Sequence, residues 1–265
     1  SDLLTALPEH GLLTIDGTEA AAGDTFTAAD IAAGKLTYTH NDSEEHGDSF
    51  TFDLSDGKGA VLSGEVFDLT IIAENDTPEL TTTTDDALEY IEGAEPLLLD
   101  DGATLFDKDG AEDTKSVSIV IENLNAEEDL FGYILPTGMD VDDTIEGTWT
   151  FDGVSDQVSY QELIRSFAFS NSSETPDDSV TRNITITATD LGDEEAVVVK
   201  TLSVVPSDDA PVAADNEFFF TIGQDSDVSG SLADYIEDAD GEAIDSFIVV
   251  RSPSKGIIKL TIDTG

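Results

Sequence analysis

The chain has 265 residues, of which 59 are acidic and 10 basic, giving a formal net charge of -49, and it contains no cysteine. That balance argues against nucleic acid and anionic membranes as partners, since both need a basic patch, and the missing thiols exclude disulfides and zinc-thiolate sites. Disorder is excluded too, because 39% of residues are hydrophobic and the 13 Phe and 5 Tyr fall in alternating runs rather than a solvating tail.

Two joints divide the chain. Ala73-Glu74-Asn75-Asp76-Thr77-Pro78 returns in altered form as Pro206-Ser207-Asp208-Asp209-Ala210-Pro211. Each follows an apolar alternating run, gathers oxygen-bearing side chains and stops at a proline, which ends a strand and forces an extended exit. The expected units are therefore 1–78, 79–211 and 212–265, with partial units at both ends. No signal peptide and no apolar run long enough to cross a bilayer is found, so the chain reads as a soluble segment of something longer.

In the first unit, residues 12–15, 35–40, 49–54 and 65–73 are strand candidates. Phe50, Phe52 and Leu54 share one face of the third, and Phe67, Leu69 and Ile71 one face of the fourth. Thr27, with Asp30 three residues on and Gly34 beyond, bounds a helix of one or two turns. Asp56-Gly57 and Gly47-Asp48 mark turns. Leu7-Pro8-Glu9-His10-Gly11-Leu12-Leu13, Gly23-Asp24-Thr25-Phe26-Thr27, Tyr38-Thr39-His40-Asn41-Asp42-Ser43-Glu44, and Asp48-Ser49-Phe50-Thr51-Phe52 with Ser55-Asp56-Gly57 together resemble the chondroitin-sulfate-proteoglycan-type (CSPG) repeat. That family is a cadherin-like β-sandwich found in tandem in large surface proteins. The resemblance covers about 70 residues and implies that the opening strand of this repeat is missing.

In the middle unit, residues 88–93 form an edge-like segment carrying acids. Residues 116–122 send Val117, Ile119 and Ile121 to a core, and residues 147–151 hold the sole tryptophan, Trp149. Ser159-Tyr160-Gln161-Glu162 reads as a capping box opening a short helix with Leu163, Ile164 and Phe167. Residues 182–190 and 196–205 are two long strands around Asp190-Leu191-Gly192-Asp193. A seven-stranded sandwich fits this spacing better than any α/β scheme. Residues 163–171, Pro176 and 182–190 resemble the second half of a cadherin-like repeat of bacterial adhesins. The departure is at the closing joint, where the usual Asn-Asp is Asp208-Asp209. The third unit opens with strands at 218–222 and 246–250, and Ser252-Pro253-Ser254-Lys255-Gly256-Ile257-Ile258 corresponds in phase to residues 7–13.

Calcium takes six to eight oxygen ligands, and Asp-x-Asp-Gly supplies two carboxylates with a glycine for the bend. Two such elements occur, Asp107-Lys108-Asp109-Gly110 and Asp238-Ala239-Asp240-Gly241, neither with the spacing of an EF-hand. The cadherin-like resemblance implies a calcium site at each junction. Carried onto this sequence, the first junction draws on Glu74, Asn75 and Asp76 with Asp56. Glu92, Asp107, Asp109 and Asp190 fit either as further ligands there or as a site at the far pole of the middle unit with Asp208, Asp209, Asp238 and Asp240. Asp56 and Asp190, both at turns, also fit as Asx-turn formers.

His10, His40 and His46 have no nucleophile or zinc context around them, and no catalytic residue is expected. The expectation is an all-β chain of tandem cadherin-like (Ig-like) Greek-key sandwiches with short helical turns. It would be a Ca2+-rigidified extender of a large extracellular adhesin resembling the bacterial RTX type, held at the cell surface for attachment or biofilm formation. Its partners are neighbouring repeats of the same chain and, through other domains, a surface glycan or protein, with no nucleic acid and no membrane insertion. Two alternatives stand beside it: a glycan- or protein-binding module built on the middle unit, or an accessory domain of a secreted polysaccharide-degrading enzyme.

Overall fold

The computed structural model describes residues 1–83, 86–154, 156–213, 221–232, 235–242, 244 and 246–259. It is mostly β-strand and divides into two compact units. Unit 1 holds Ser1–Thr77 with Asp107–Gly110, and unit 2 holds Pro78–Phe106 with Ala111–Gly265.

Unit 1 runs β1 (Asp2–Ala6), β2 (Gly11–Ile15), β3 (Thr18–Glu19), β4 (Thr25–Phe26), α1 (Ala28–Ala32), β5 (Leu36–His40), β6 (Gly47–Ser55) and β7 (Val61–Thr70). Two antiparallel sheets result, in the orders β4-β1-β6-β7 and β3-β2-β5. Leu4, Leu13, Ala20 and Phe50 are buried between them, with Ile15, Leu36, Tyr38 and Phe52 packed alongside. The helix is closed as the sequence demands. Asp30 N–H donates to the Thr27 hydroxyl at 3.2 Å, Thr27 N–H donates back to the Asp30 carboxylate at 3.0 Å, and Gly34 leaves at φ +68. Two strand readings are corrected. β1, not anticipated, is a central strand whose Leu4 is fully buried, and the last strand runs 61–70 rather than 65–73.

Unit 2 runs β8 (Glu79–Thr81), β9 (Ala87–Ile91), β10 (Leu97–Leu98), β11 (Thr104–Phe106), β12 (Thr114–Glu122), β13 (Asp129–Gly132), β14 (Asp140–Asp142), β15 (Thr148–Asp152), α2 (Gln157–Ser166), β16 (Ala168–Asn171), β17 (Arg182–Asp190) and β18 (Glu195–Val205). Beyond these lie β19 (Val212–Ala213) and β20 (Ile236–Glu237), which pair with each other. The main sheet has the order β14-β15-β12-β17-β18-β9, and the facing sheet β10-β16-β13. Within these, β15-β12-β17-β18 and β13-β16 repeat the frame β4-β1-β6-β7 and β2-β5 of unit 1. Unit 2 adds β14 beside β15 and the antiparallel pair β8-β11, and it adds β9, parallel to the outer edge of β18, and β10, antiparallel to the outer edge of β16.

Alternation in β12 buries Val117, Ile119 and Ile121, and a cluster of rings fills the space beneath. Phe167 lies within ring contact of Phe131, Tyr133, Trp149 and Phe151. Trp149 is thus a half-buried packing residue. The helix α2 starts earlier than its sequence signal. Asp156 is the cap, accepting from Val158 and Ser159 N–H, and the Ser159 hydroxyl donates to that carboxylate instead of opening a box of its own. Arg182 is buried in a two-pronged pair with Asp129, both contacts at 2.9 Å, and Asn171 Nδ2 donates to the same carboxylate. Of the third-unit strands, most of 218–222 lies outside the described residues, and 246–250 has no strand.

Candidate cation sites at the joints

Both Asp-x-Asp-Gly elements fold the same way. Asp109 N–H donates to Asp107 Oδ1 at 2.9 Å, and Asp240 N–H donates to Asp238 Oδ1 at 3.2 Å. Each second aspartate then takes a backbone N–H from a joint. Asp76 N–H donates to Asp109 Oδ2 and Asp209 N–H to Asp240 Oδ2, both at 2.6 Å. The glycines that follow, Gly110 at φ +141 and Gly241 at φ +73, occupy backbone space that a side chain would strain. The recurrence at the joints is therefore one of hydrogen bonding as well as of composition.

In unit 1, carboxylate oxygens of Glu44, Asp76 and Asp109 lie within 4.8 Å of one another. Glu74, Asn75 and Asp76 line a polar hollow of about 230 Å³ with His40, Asp42 and Glu44. A cation is already there. Lys108 Nζ stands 2.8 Å from Asp42, 3.1 Å from Asp76 and 3.6 Å from Glu44. Its hydrogen bonds to Asp42 and Asp76 push the Lys108 ammonium above the ordinary lysine range, and its contact holds the Asp42 carboxyl below the ordinary carboxylate range.

In unit 2, oxygens of Glu92, Glu174 and Asp209 lie within 4.8 Å of one another. Ser207 N–H donates to Glu92 Oε2 at 2.9 Å and turns the carboxylate toward the joint. Glu92 Oε1 and Asp209 Oδ2 are buried atoms with no hydrogen-bond partner among the described residues. Buried acceptors of this kind cost free energy unless something positive completes them. Hard carboxylate oxygens are what calcium takes, so this donor set fits that ion. Asp208 is exposed and outside the group, and Asp238 acts through Asp240.

Asp190 is fully buried at the β17 end, where its Oδ1 accepts from Glu194 N–H at 2.8 Å. It forms the turn and also brings an oxygen within 4.8 Å of one on Asp113. Asp107 is buried. Asp56 is exposed and caps its own turn, accepting from Lys58 and Ala60 N–H. Sequence reasoning missed Glu44, Asp113 and Glu174. Glu44 stands in the motif Asp42-Ser43-Glu44, whereas Glu174 carries no local signal.

Asp48 has a structural task. It accepts from the N–H groups of Glu9, His10 and Ser49 and from the Tyr38 hydroxyl, all at 2.8 to 2.9 Å. Burial alone would raise this carboxyl, but the four donors outweigh it and hold it below its ordinary value. Burial and the neighbouring Asp48 push the Tyr38 hydroxyl up to about 12.

Residues 3–71 match a family model described as cadherin-like. Among solved structures, the protocadherin gamma B2 extracellular cadherin domains 3-6 are 16% identical with a TM-score of 0.34, covering 81% of this chain and 43% of that one. The human CDH23 EC21-23 structure is 13% identical with a TM-score of 0.37, covering 77% of this chain and 58% of that one. The chain thus spans less than two thirds of either structure's length. No helix among the described residues is long and apolar enough to cross a membrane. The stretch that carries the likeness to the cadherin-like family model is residues 3–71, which holds the strands of unit 1.

Proposed function

We propose that this chain is an extender segment of an extracellular adhesin, built of tandem cadherin-like repeats whose joints are stiffened by calcium. The observation that carries the reading is the pair of orphaned buried oxygens, Glu92 Oε1 and Asp209 Oδ2, in a carboxylate cluster at the second joint. Glu92, Glu174 and Asp209 would hold the ion, which would supply charge neutralisation there and no reaction chemistry. With a net charge of -49, a joint that gathers carboxylates repels itself, and a divalent ion turns that repulsion into a tie between neighbouring repeats of the same chain. Cadherin-like domains are generally extracellular and adhesive, which supports the location and the role. The work assigned is mechanical, carrying a distal adhesive domain away from the surface.

Calorimetry tests it. An ion that binds the folded state at a hundred times its dissociation constant adds about 2.7 kcal/mol, so the melting midpoint of unit 2 rises in calcium relative to chelator. Replacing both Glu92→Gln and Asp209→Asn removes the rise and leaves the midpoint in chelator in place. Equal midpoints with and without calcium for the wild type would sink the reading.

A further inference from the structure

The two Asp-x-Asp-Gly elements differ at their second position, which is Lys108 in one and Ala239 in the other. In the first element the backbone on either side of Lys108 is pinned. Asp107 Oδ1 accepts from Asp109 N–H at 2.9 Å, and Asp109 Oδ2 accepts from Asp76 N–H at 2.6 Å. The side chain held between them places Nζ 2.8 Å from Asp42, 3.1 Å from Asp76 and 3.6 Å from Glu44, all within unit 1. Among the described residues, Asp42, Glu44, Asp76 and Asp109 leave no buried oxygen without a partner, whereas Glu92 and Asp209 at the second joint each leave one.

We propose that Lys108 is a built-in counter-ion that takes the place of a metal at this cluster, so that the cluster keeps its hydrogen bonds in calcium-free solution. Calcium gathers oxygens at about 2.3–2.6 Å. Here Glu44 and Asp76 already face an ammonium, which an entering ion would meet at contact distance and repel. The residues present therefore do not fit the ion at the first joint's cluster, while those of the second joint do. An ammonium brings three N–H donors, and a tethered one is supplied at an effective concentration set by its own side chain rather than by the ions in solution. The calcium reading continues to rest on Glu92, Glu174 and Asp209. A fall in calcium then acts on the second joint and spares the hydrogen bonds that Asp109 makes at the first.

The test is residue-level hydrogen exchange on the whole 265-residue protein, in calcium and in chelator. The amides of Asp76 and Asp109 report the first cluster, and those of Ser207 and Asp209 the second joint. In the wild type the first pair exchanges at the same rate in both solutions, while the second pair exchanges about tenfold faster in chelator. Lys108→Ala makes the first pair calcium-dependent, with about a tenfold acceleration in chelator that calcium reverses. Lys108→Met, which keeps the apolar stem and loses the charge, behaves as Lys108→Ala does, and Lys108→Arg behaves as the wild type. Faster exchange of the wild-type Asp76 and Asp109 amides in chelator would overturn the proposal. So would a Lys108→Ala protein whose first pair still ignored calcium, or a Lys108→Met protein that matched the wild type, which would leave packing as the residue's role. Should the second pair ignore calcium while the first pair behaves as described, the calcium reading of the second joint fails and the role of Lys108 stands.

Discussion

Units 1 and 2 share a strand order around an interleaved helix, yet they differ in how dry their interiors are. In unit 2, Phe151, Tyr160, Phe167 and Phe169 are fully buried, whereas in unit 1 Phe67 is 51% and Leu54 45% exposed. Phe151 and Phe169 lie on alternating strands as Leu54 and Phe67 do, so alternation alone does not seal a sandwich. The segment 87–98 does, by occupying both edges of the mouth at once. Unit 2 also encloses ion pairs, Arg182 with Asp129 and Lys200 with Asp100, and an enclosed pair needs the surrounding packing that keeps water away.

The sharpest way to break this contrast is Asp129→Ala. It strands the Arg182 guanidinium, 1% exposed, in an apolar surround and costs unit 2 about 3–5 kcal/mol. Denaturant unfolding followed by Trp149 emission reads the loss, while hydrogen exchange in β6 shows unit 1 unchanged. A smaller effect belongs to unit 1. Asp48→Asn weakens four charge-assisted hydrogen bonds and costs about 1.5–3 kcal/mol. Because the folded Asp48 carboxyl lies below its ordinary value, its contribution is present above the unfolded value of about 3.9 and is lost as pH falls through the folded one. The wild type and Asp48→Asn therefore converge in β6 exchange as the solution is acidified. The smallest change concerns the joints. Lys108 stands among carboxylates where the second element has Ala239, so Lys108→Ala removes a competing positive charge and tightens calcium binding at the first joint, read by titration calorimetry.

The legible parts of the molecule were those written locally. The alternation of Val117, Ile119 and Ile121, the capping box of Thr27 and Asp30, and the repeated joints all depend on residues within a few positions of one another. What escaped depends on distant partners. Nothing in Asp2-Leu3-Leu4-Thr5-Ala6 announces a central strand, because its role comes from pairing with β6 some fifty residues away, where Leu4 faces Phe52. Two caps three residues apart competed for α2, and the carboxylate of Asp156 won because it accepts two N–H groups at once. The clusters were half legible. Asp-x-Asp-Gly and the acidic joints stand out in the sequence, but the approach of Glu174 to Glu92 and the seat of Lys108 among acids arise only when loops from separate strands meet.

The parallel pairing of β9 with β18 has a mechanical consequence. Five rungs, from Thr201 with Ala87 to Val205 with Ile91, join the first long strand of unit 2 to its last, and both strands point the same way. Tension entering ahead of β9 and leaving beyond β18 pulls the two strands along their length in opposite directions. The rungs then share the load in shear instead of unzipping one after another, so the seam resists rupture until all of them fail together.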